Sequence, residues 1–136
     1  MKVVADSHSL LYYLFTPDRL SDDALDALGT AKDTDSVVVS VATFGDLWYS
    51  SHKIGERALV PGAFEQLRAT VLDTGNTGFR VTPIDAETMT QLASFALAPL
   101  RDPWDRMIVA TAKQLKLPLV TAYRAITDTH VVDVIW

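Results

Sequence analysis

Lys2-Val3-Val4-Ala5-Asp6-Ser7 is the stretch on which the reading of the fold turns. Its Val-Val-Ala run has no polar residue on either alternating face, which suits a strand buried on both sides rather than one side of a hairpin. Leu10, Leu11, Leu14 and Phe15 follow at helical spacing, so strand passes to helix across Asp6. Asp6 is thereby placed at the carboxyl edge of the strand, where ligands bind in open α/β sheets. An aspartate there also suits the N-cap of the next helix. On this stretch alone both readings stand, and a chemical role needs other carboxylates that converge on Asp6.

Working outward, Pro17 closes the first helix, and Ser21 with Asp22 and Asp23 opens a second one carrying Leu25 and Leu28 up to Gly29. Val37-Val38-Val39 repeats the buried-strand pattern. A helix is expected from about Ala42 to Ile54, ended by Gly55, with Phe44, Leu47, Trp48 and Ser51 as its packing face. Asp46, Tyr49, Ser50 and Lys53 line another flank, which puts Asp46 in the early turns of a helix that begins at a strand's carboxyl end. Val60-Pro61-Gly62 leads into a stripe of Phe64, Leu67, Val71 and Leu72, and Thr74 to Gly78 reads as a turn. Phe79 to Pro83 is an expected edge strand. Asp85 caps a helix with Met89, Leu92 and Ala93 spaced for core contact. Beyond Arg101-Asp102-Pro103-Trp104-Asp105-Arg106 the helix stripe is Ile108, Ala112 and Leu115. Leu119-Val120-Thr121 is a further buried strand, and Val131 to Ile135 a last edge strand. Strands alternating with helices predict one domain over residues 1–136, a three-layer α/β/α sandwich with a mainly parallel sheet.

With 49% hydrophobic and 21% charged residues the composition is ordinary for a globular domain. No apolar run approaches the roughly 18 to 20 residues of a membrane span, and the N-terminus lacks the order of a signal peptide. No membrane association and a cytoplasmic location are the expectations. The absence of cysteine excludes disulfides and thiolate zinc sites. A net charge of −5 argues against nucleic-acid binding by bulk electrostatics. It leaves open an enzyme that uses carboxylates to hold metal ions against a phosphate.

Asp6, Asp46, Asp102 and Asp105 all fall near strand ends or first helical turns. Such carboxylates suit Mg²⁺ or Mn²⁺, which prefer oxygen donors and assist phosphodiester cleavage. Asp102 equally suits the cap of a helix begun by Pro103. No glycine-rich phosphate loop or dinucleotide fingerprint is present. His8, His52 and His130 lack metal-motif spacing and read as surface or packing residues.

The chain resembles the PIN-domain family, and within it the VapC-type toxin ribonucleases of type II toxin–antitoxin pairs. The resemblance runs nearly end to end: Val4-Ala5-Asp6-Ser7-His8, Val39-Ser40-Val41-Ala42-Thr43 leading to Asp46, Arg101-Asp102-Pro103-Trp104-Asp105-Arg106-Met107-Ile108-Val109-Ala110, and Leu119-Val120-Thr121-Ala122. It implies a PIN-like sandwich with the first strand central, Mg²⁺- or Mn²⁺-dependent endonucleolytic RNA cleavage, homodimerisation, and inhibition by a small cognate antitoxin. By position it makes Asp6, Asp46 and Asp105 metal ligands, with Asp46 where relatives usually carry glutamate, and Asp102 an accessory acid. Ser7 and Thr121 match hydroxyls that orient the phosphate or the metal shell, and Arg106 and Tyr123 join that substrate-orienting group. Lys53, Arg57, Arg101, Arg106 and Arg124 are candidates for phosphate contact, although solvated helix faces account for most of them. Tyr12, Tyr13 and Trp48 are candidates for the partner's apolar segment.

One departure matters. Relatives commonly follow Thr-Ala with a fourth aspartate, and here Tyr123 occupies that place. A phenol is a poor ligand for Mg²⁺, although Asp128 in the next loop is a possible substitute. The alternative function is therefore a catalytically impaired RNA- or protein-binding module on the same scaffold.

Overall fold

The run Val3–Ala5 forms β1, and the other apolar runs form β2 (Val37–Ser40), β3 (Phe79–Thr82), β4 (Leu119–Val120) and β5 (Val134–Ile135). The structure is a computed structural model that describes residues 1–53, 59–73, 75 and 78–136. The strands make one sheet of order β3-β2-β1-β4-β5, every described pair parallel and β1 central, with Val4 beside both Val38 and Leu119. Connections are supplied by α1 (Ser7–Phe15), α2 (Asp22–Thr34), α3 (Val41–Ser51), α4 (Ala63–Leu72), α5 (Ala86–Ala93), α6 (Pro103–Leu115) and α7 (Arg124–Thr127).

Alternation along the strands divides the interior in two. Val3, Ala5, Val37, Val39 and Val120 face one core with Leu10, Leu28 and Leu67 from α1, α2 and α4. Val4, Val38 and Leu119 face the other with Ile108, Val109 and Ala112 from α6 and Ile126 from α7. Val3, Val4 and Ala5 are all buried, as a strand sandwiched between two helical layers requires. The expected three-layer sandwich is the observed architecture. Both expected edge strands, β3 and β5, lie at the edges.

Several packing expectations need correction. Trp48 is 46% exposed; α3 buries Ala42, Thr43, Leu47 and Ser50 instead, so its inward face is rotated away from Trp48. Met89 is 39% exposed, because α5 turns Thr88 inward, where its hydroxyl bonds Gln114 of α6 and the Asp85 cap. Ala93 is exposed as well. Leu72 and Leu115 end their helices and stay exposed. The last strand is shorter than expected: Val131 and Val132 pack onto the second core ahead of it. Ile54 and Gly55, expected at the end of α3, lie outside the described residues, as do Arg57 and positions 74, 76 and 77 of the expected turn.

Arg106 also departs from expectation. Its guanidinium is buried and turned to the segment joining α5 to α6, where it donates to the carbonyls of Leu92, Phe95, Ala96, Leu97 and Leu100 and lies 4.1 Å from the Phe95 ring centroid. Carbonyls that converge in the interior need a multi-donor cation, and the planar guanidinium fork matches them. Arg106 thus organises this connection rather than reaching a phosphate. Arg106→Leu should cost about 3 kcal/mol or more by leaving these acceptors unpaired, read as a fall in Tm on the order of 10 °C. Arg106→Lys should recover only part of the loss, and a Tm unchanged in both would remove this account.

Candidate active site

The sheet changes direction of growth beside β1: the chain runs outward through β2 to β3, then returns to β4 on the other side. The crevice at such a switch point, beyond the strand carboxyl ends, is the usual ligand site of a parallel sheet. Asp6 leaves β1 and Thr121-Ala122-Tyr123 leaves β4 on either side of it.

Asp6 is held there by three bonds. Its N–H donates to the Val120 carbonyl at 3.2 Å. Oδ1 accepts from Ser9 N at 2.9 Å, which makes it the N-cap of α1. Oδ2 accepts from the Thr121 hydroxyl, whose Oγ1 in turn accepts from Tyr123 N at 3.0 Å. Asp6 is the cap of α1, and capping the helix fixes its carboxylate at the sheet edge, where it lines a cavity. Asp102 repeats the device: it caps α6 through Asp105 N at 3.0 Å, and Pro103 begins the helix.

Asp6, Asp46, Asp102 and Asp105 line one cavity of about 610 Å³. Ala122 and Tyr123 close one side, and His8, Ser9, Tyr12, Ser50 and Lys53 complete it. Hard oxygen donors of this kind fit Mg²⁺ or Mn²⁺ chemically. Among the described residues, however, no three His, Asp or Glu side chains stand close enough to enclose an ion. The donor set fits in kind and charge, and its spacing is wider than a closed ligand cage.

Of the remaining expected residues, Thr121 orients Asp6 and Tyr123 borders the cavity, 49% exposed. Ser7 does not line it; its hydroxyl is buried in α1 without a hydrogen-bond partner. Arg106 points into its carbonyl nest. Asp128 is exposed at the end of α7, and it, Arg101 and Arg124 do not line the cavity. Tyr13 packs against the first core, and Tyr12 carries Arg19 over its ring at 5.3 Å. Sequence reasoning missed Ser9, His8 and Tyr12 as cavity residues. The signal was available: an Asp6 cap brings the first turn of α1 to the same edge, and Tyr12 follows His8 at i+4.

The family model described as PIN domain matches residues 3–129. Among curated proteins no sequence matches. The fold is similar to VapBC2 from Rickettsia felis bound to a DNA fragment from their promoter, with TM-score 0.68, 14% identity, and 98% of this chain and 97% of that chain covered. It is similar to DNA-bound VapBC from Salmonella typhimurium, with TM-score 0.67, 16% identity and coverage of 98% and 96%. FitAcB from Neisseria gonorrhoeae gives TM-score 0.59, 18% identity and coverage of 98% and 96%. At these identities the likeness speaks to the fold.

Protonation follows from the crowding. Burial raises the Asp6 carboxyl, partly offset by the bonds from Thr121 and Ser9 and by the charge of His8. Burial pushes Asp105 up to about 7, and the charges of Asp102, Asp46 and Asp6 push the same way. A carboxyl raised on folding favours the native state while protonated. That contribution is whole below the ordinary 3.8 and is lost as pH rises through about 7. Solvent screening on the open side leaves on the order of 1–2 kcal/mol. In EDTA, Asp105→Asn should therefore melt several degrees above wild type at pH 8, with the advantage gone near pH 4. A constant difference across that range in thermal melts would count against the charge crowding.

Proposed function

The chain belongs to the PIN domain family, and from that membership and its four-acid cavity we propose that it is a metal-dependent endoribonuclease, the toxin of a toxin–antitoxin pair. The observation that carries the reading is the convergence of Asp6, Asp46, Asp102 and Asp105 on one cavity at the switch point of the sheet. Asp6, Asp46 and Asp105 are the ligands assigned to Mg²⁺ or Mn²⁺. When bound, the ion supplies Lewis acidity toward the phosphate and a water acidic enough to act as nucleophile near neutral pH. The chain's own residues do the positioning. Thr121 and the Ser9 N–H fix the Asp6 carboxylate, and Asp102 pins the first turn of α6 that carries Asp105. Lys53, on the cavity wall, offers a cation to the substrate phosphate. Because Asp105 sheds its proton only near neutrality, ion affinity should rise with pH through that range.

A second reading is favoured by one residue. Tyr123 stands where relatives carry a fourth acid, and its exposed ring suits contact with RNA or protein more than with a cation. On that reading the protein is a binding module that does not accelerate cleavage. The partners that accompany the toxin reading are a second copy of the chain and a small antitoxin protein, which would set a cationic side chain in the acidic cavity. A species of 14.9 kDa that remains monomeric in light scattering at high concentration would remove the homodimer.

Purified, partner-free protein should cut unpaired RNA internally with Mg²⁺ or Mn²⁺ and not in EDTA. Loss of an outer-shell partner of a metal already costs about 10- to 100-fold, so Asp6→Asn, Asp46→Asn or Asp105→Asn should cost at least about a hundredfold. Added Mg²⁺ should raise the Tm of wild type at pH 8 and leave Asp105→Asn nearly unmoved. Tyr123→Asp should increase the rate or the ion affinity. No cutting of diverse RNAs by wild type, with cutting gained in Tyr123→Asp, would reject native nuclease activity and leave the binding module.

A further inference from the structure

Next to Asp46, the exposed flank of α3 changes from acid to aromatic. Trp48 and Tyr49 are 46% and 57% exposed, and their rings meet edge to face at 5.0 Å and 88°. The row continues from Tyr49 to Trp104 of α6 at 5.7 Å. At its other end His52 lies 4.2 Å from Trp48, with Nδ1 2.8 Å from the Trp48 carbonyl oxygen. Gly45 makes the junction possible, because a Cβ there would lie 2.6 Å from the Trp104 ring. The row thus spans two helices, with Trp48 and Tyr49 exposed and Trp104 half-buried against the second core.

Position ties this row to the cavity. Tyr49 lies between Asp46 and Lys53 in sequence, Trp104 lies between Asp102 and Asp105, and those four polar residues line the acidic wall. A net charge of −5 and four clustered acids give a polyanion little electrostatic affinity. A strand held beside this cavity must draw its binding energy from elsewhere. Base–aromatic stacking supplies it, at about 5- to 150-fold in affinity per base. A paired helix keeps its base faces covered.

We propose that Trp48, Tyr49 and Trp104 form a stacking ledge for unpaired bases of an RNA strand whose backbone passes the acidic cavity, with Lys53 on its phosphate side. This rests on the nuclease reading of the cavity and names the substrate feature it selects, accessible base faces.

The test uses the whole protein in EDTA, where binding is separated from cutting. The probes are a short unstructured pyrimidine-rich RNA, the same sequence in a duplex, and an abasic strand of equal length. Tryptophan fluorescence and the anisotropy of labelled probe are read in parallel. The unpaired RNA should quench fluorescence and bind with a shallow salt dependence, while the duplex and the abasic strand should bind at least about tenfold more weakly. Trp48→Ala and Tyr49→Ala should each weaken binding about tenfold, and Tyr49→Phe should restore it. Both side chains are exposed, so the fold tolerates these changes. Equal binding of the abasic strand, or a steep salt slope, would overturn the ledge in favour of phosphate contacts. Loss of self-association in Trp48→Ala with unchanged RNA affinity would overturn it in favour of an interface between copies. Quenching without cutting in Mg²⁺ would keep the ledge and reject the nuclease, whereas cutting with an unchanged KM in both alanine variants would do the reverse.

Discussion

The Asp6 carboxylate is the constraint on which the rest of the structure depends. It is buried at the end of a strand that is itself buried on both faces, and removing a charge from water is expensive unless partners replace the lost hydration. The chain provides two, Ser9 N for one oxygen and the Thr121 hydroxyl for the other, while the backbone N–H of Asp6 donates to the Val120 carbonyl. Those partners belong to β4, α1 and the segment after β4. One residue, through its backbone N–H and its carboxylate together, therefore locks the central strand, the helix that follows it and the neighbouring strand into a single relation. The desolvation that remains still raises its pKa, the mark of a group kept in place at a cost in stability.

The same economy recurs around the cavity. Asp102 caps α6 and so orients the turn that carries Asp105, and Ser40 caps α3 through Ala42 N ahead of Asp46. Each acid reaches the sheet edge because a helix starts there, and each start is fixed by a short polar side chain that accepts backbone N–H groups. Helix initiation and site assembly are one event in this architecture. The result is an acidic pit in which burial and the charges of Asp102, Asp46 and Asp6 raise the pKa of Asp105. Under the nuclease reading, the unfavourable charge density is the reserve that cation binding releases.

Much of this was legible in the residues. Val3-Val4-Ala5 and Val37-Val38-Val39 announce strands covered on both faces, and the alternation of strands with helical stripes leads to the parallel sandwich. Asp6, Asp46, Asp102 and Asp105 were expected near strand ends or in first helical turns, and all four line one cavity. The failures are rotational. A hydrophobic residue on a helix is assigned inward by pattern, but α3 and α5 bury Thr43, Ser50 and Thr88 while Trp48 and Met89 face water. A buried threonine with a bonded hydroxyl, such as Thr88, looks polar in sequence and behaves as core. Arg106 illustrates the converse. Its charge suggested phosphate, yet the carbonyls it satisfies come from the last turn of α5 and the connecting segment after it, which has no periodic signature.

Tyr123 links the two ends of the argument. Its N–H donates to the Thr121 hydroxyl that in turn donates to Asp6, so the backbone of this position supports the Asp6 carboxylate whatever its side chain. The side chain is then free to vary in chemistry without loosening Asp6. A carboxylate there would add one more negative charge to a pit in which Asp105 already titrates near neutrality. A phenol instead adds no charge to the pit and leaves an exposed ring on the cavity wall. On the proposed reading, the exchange gives up a cation ligand and gains a surface for an uncharged base, which shifts recognition in this protein from phosphate charge toward the faces of unpaired bases.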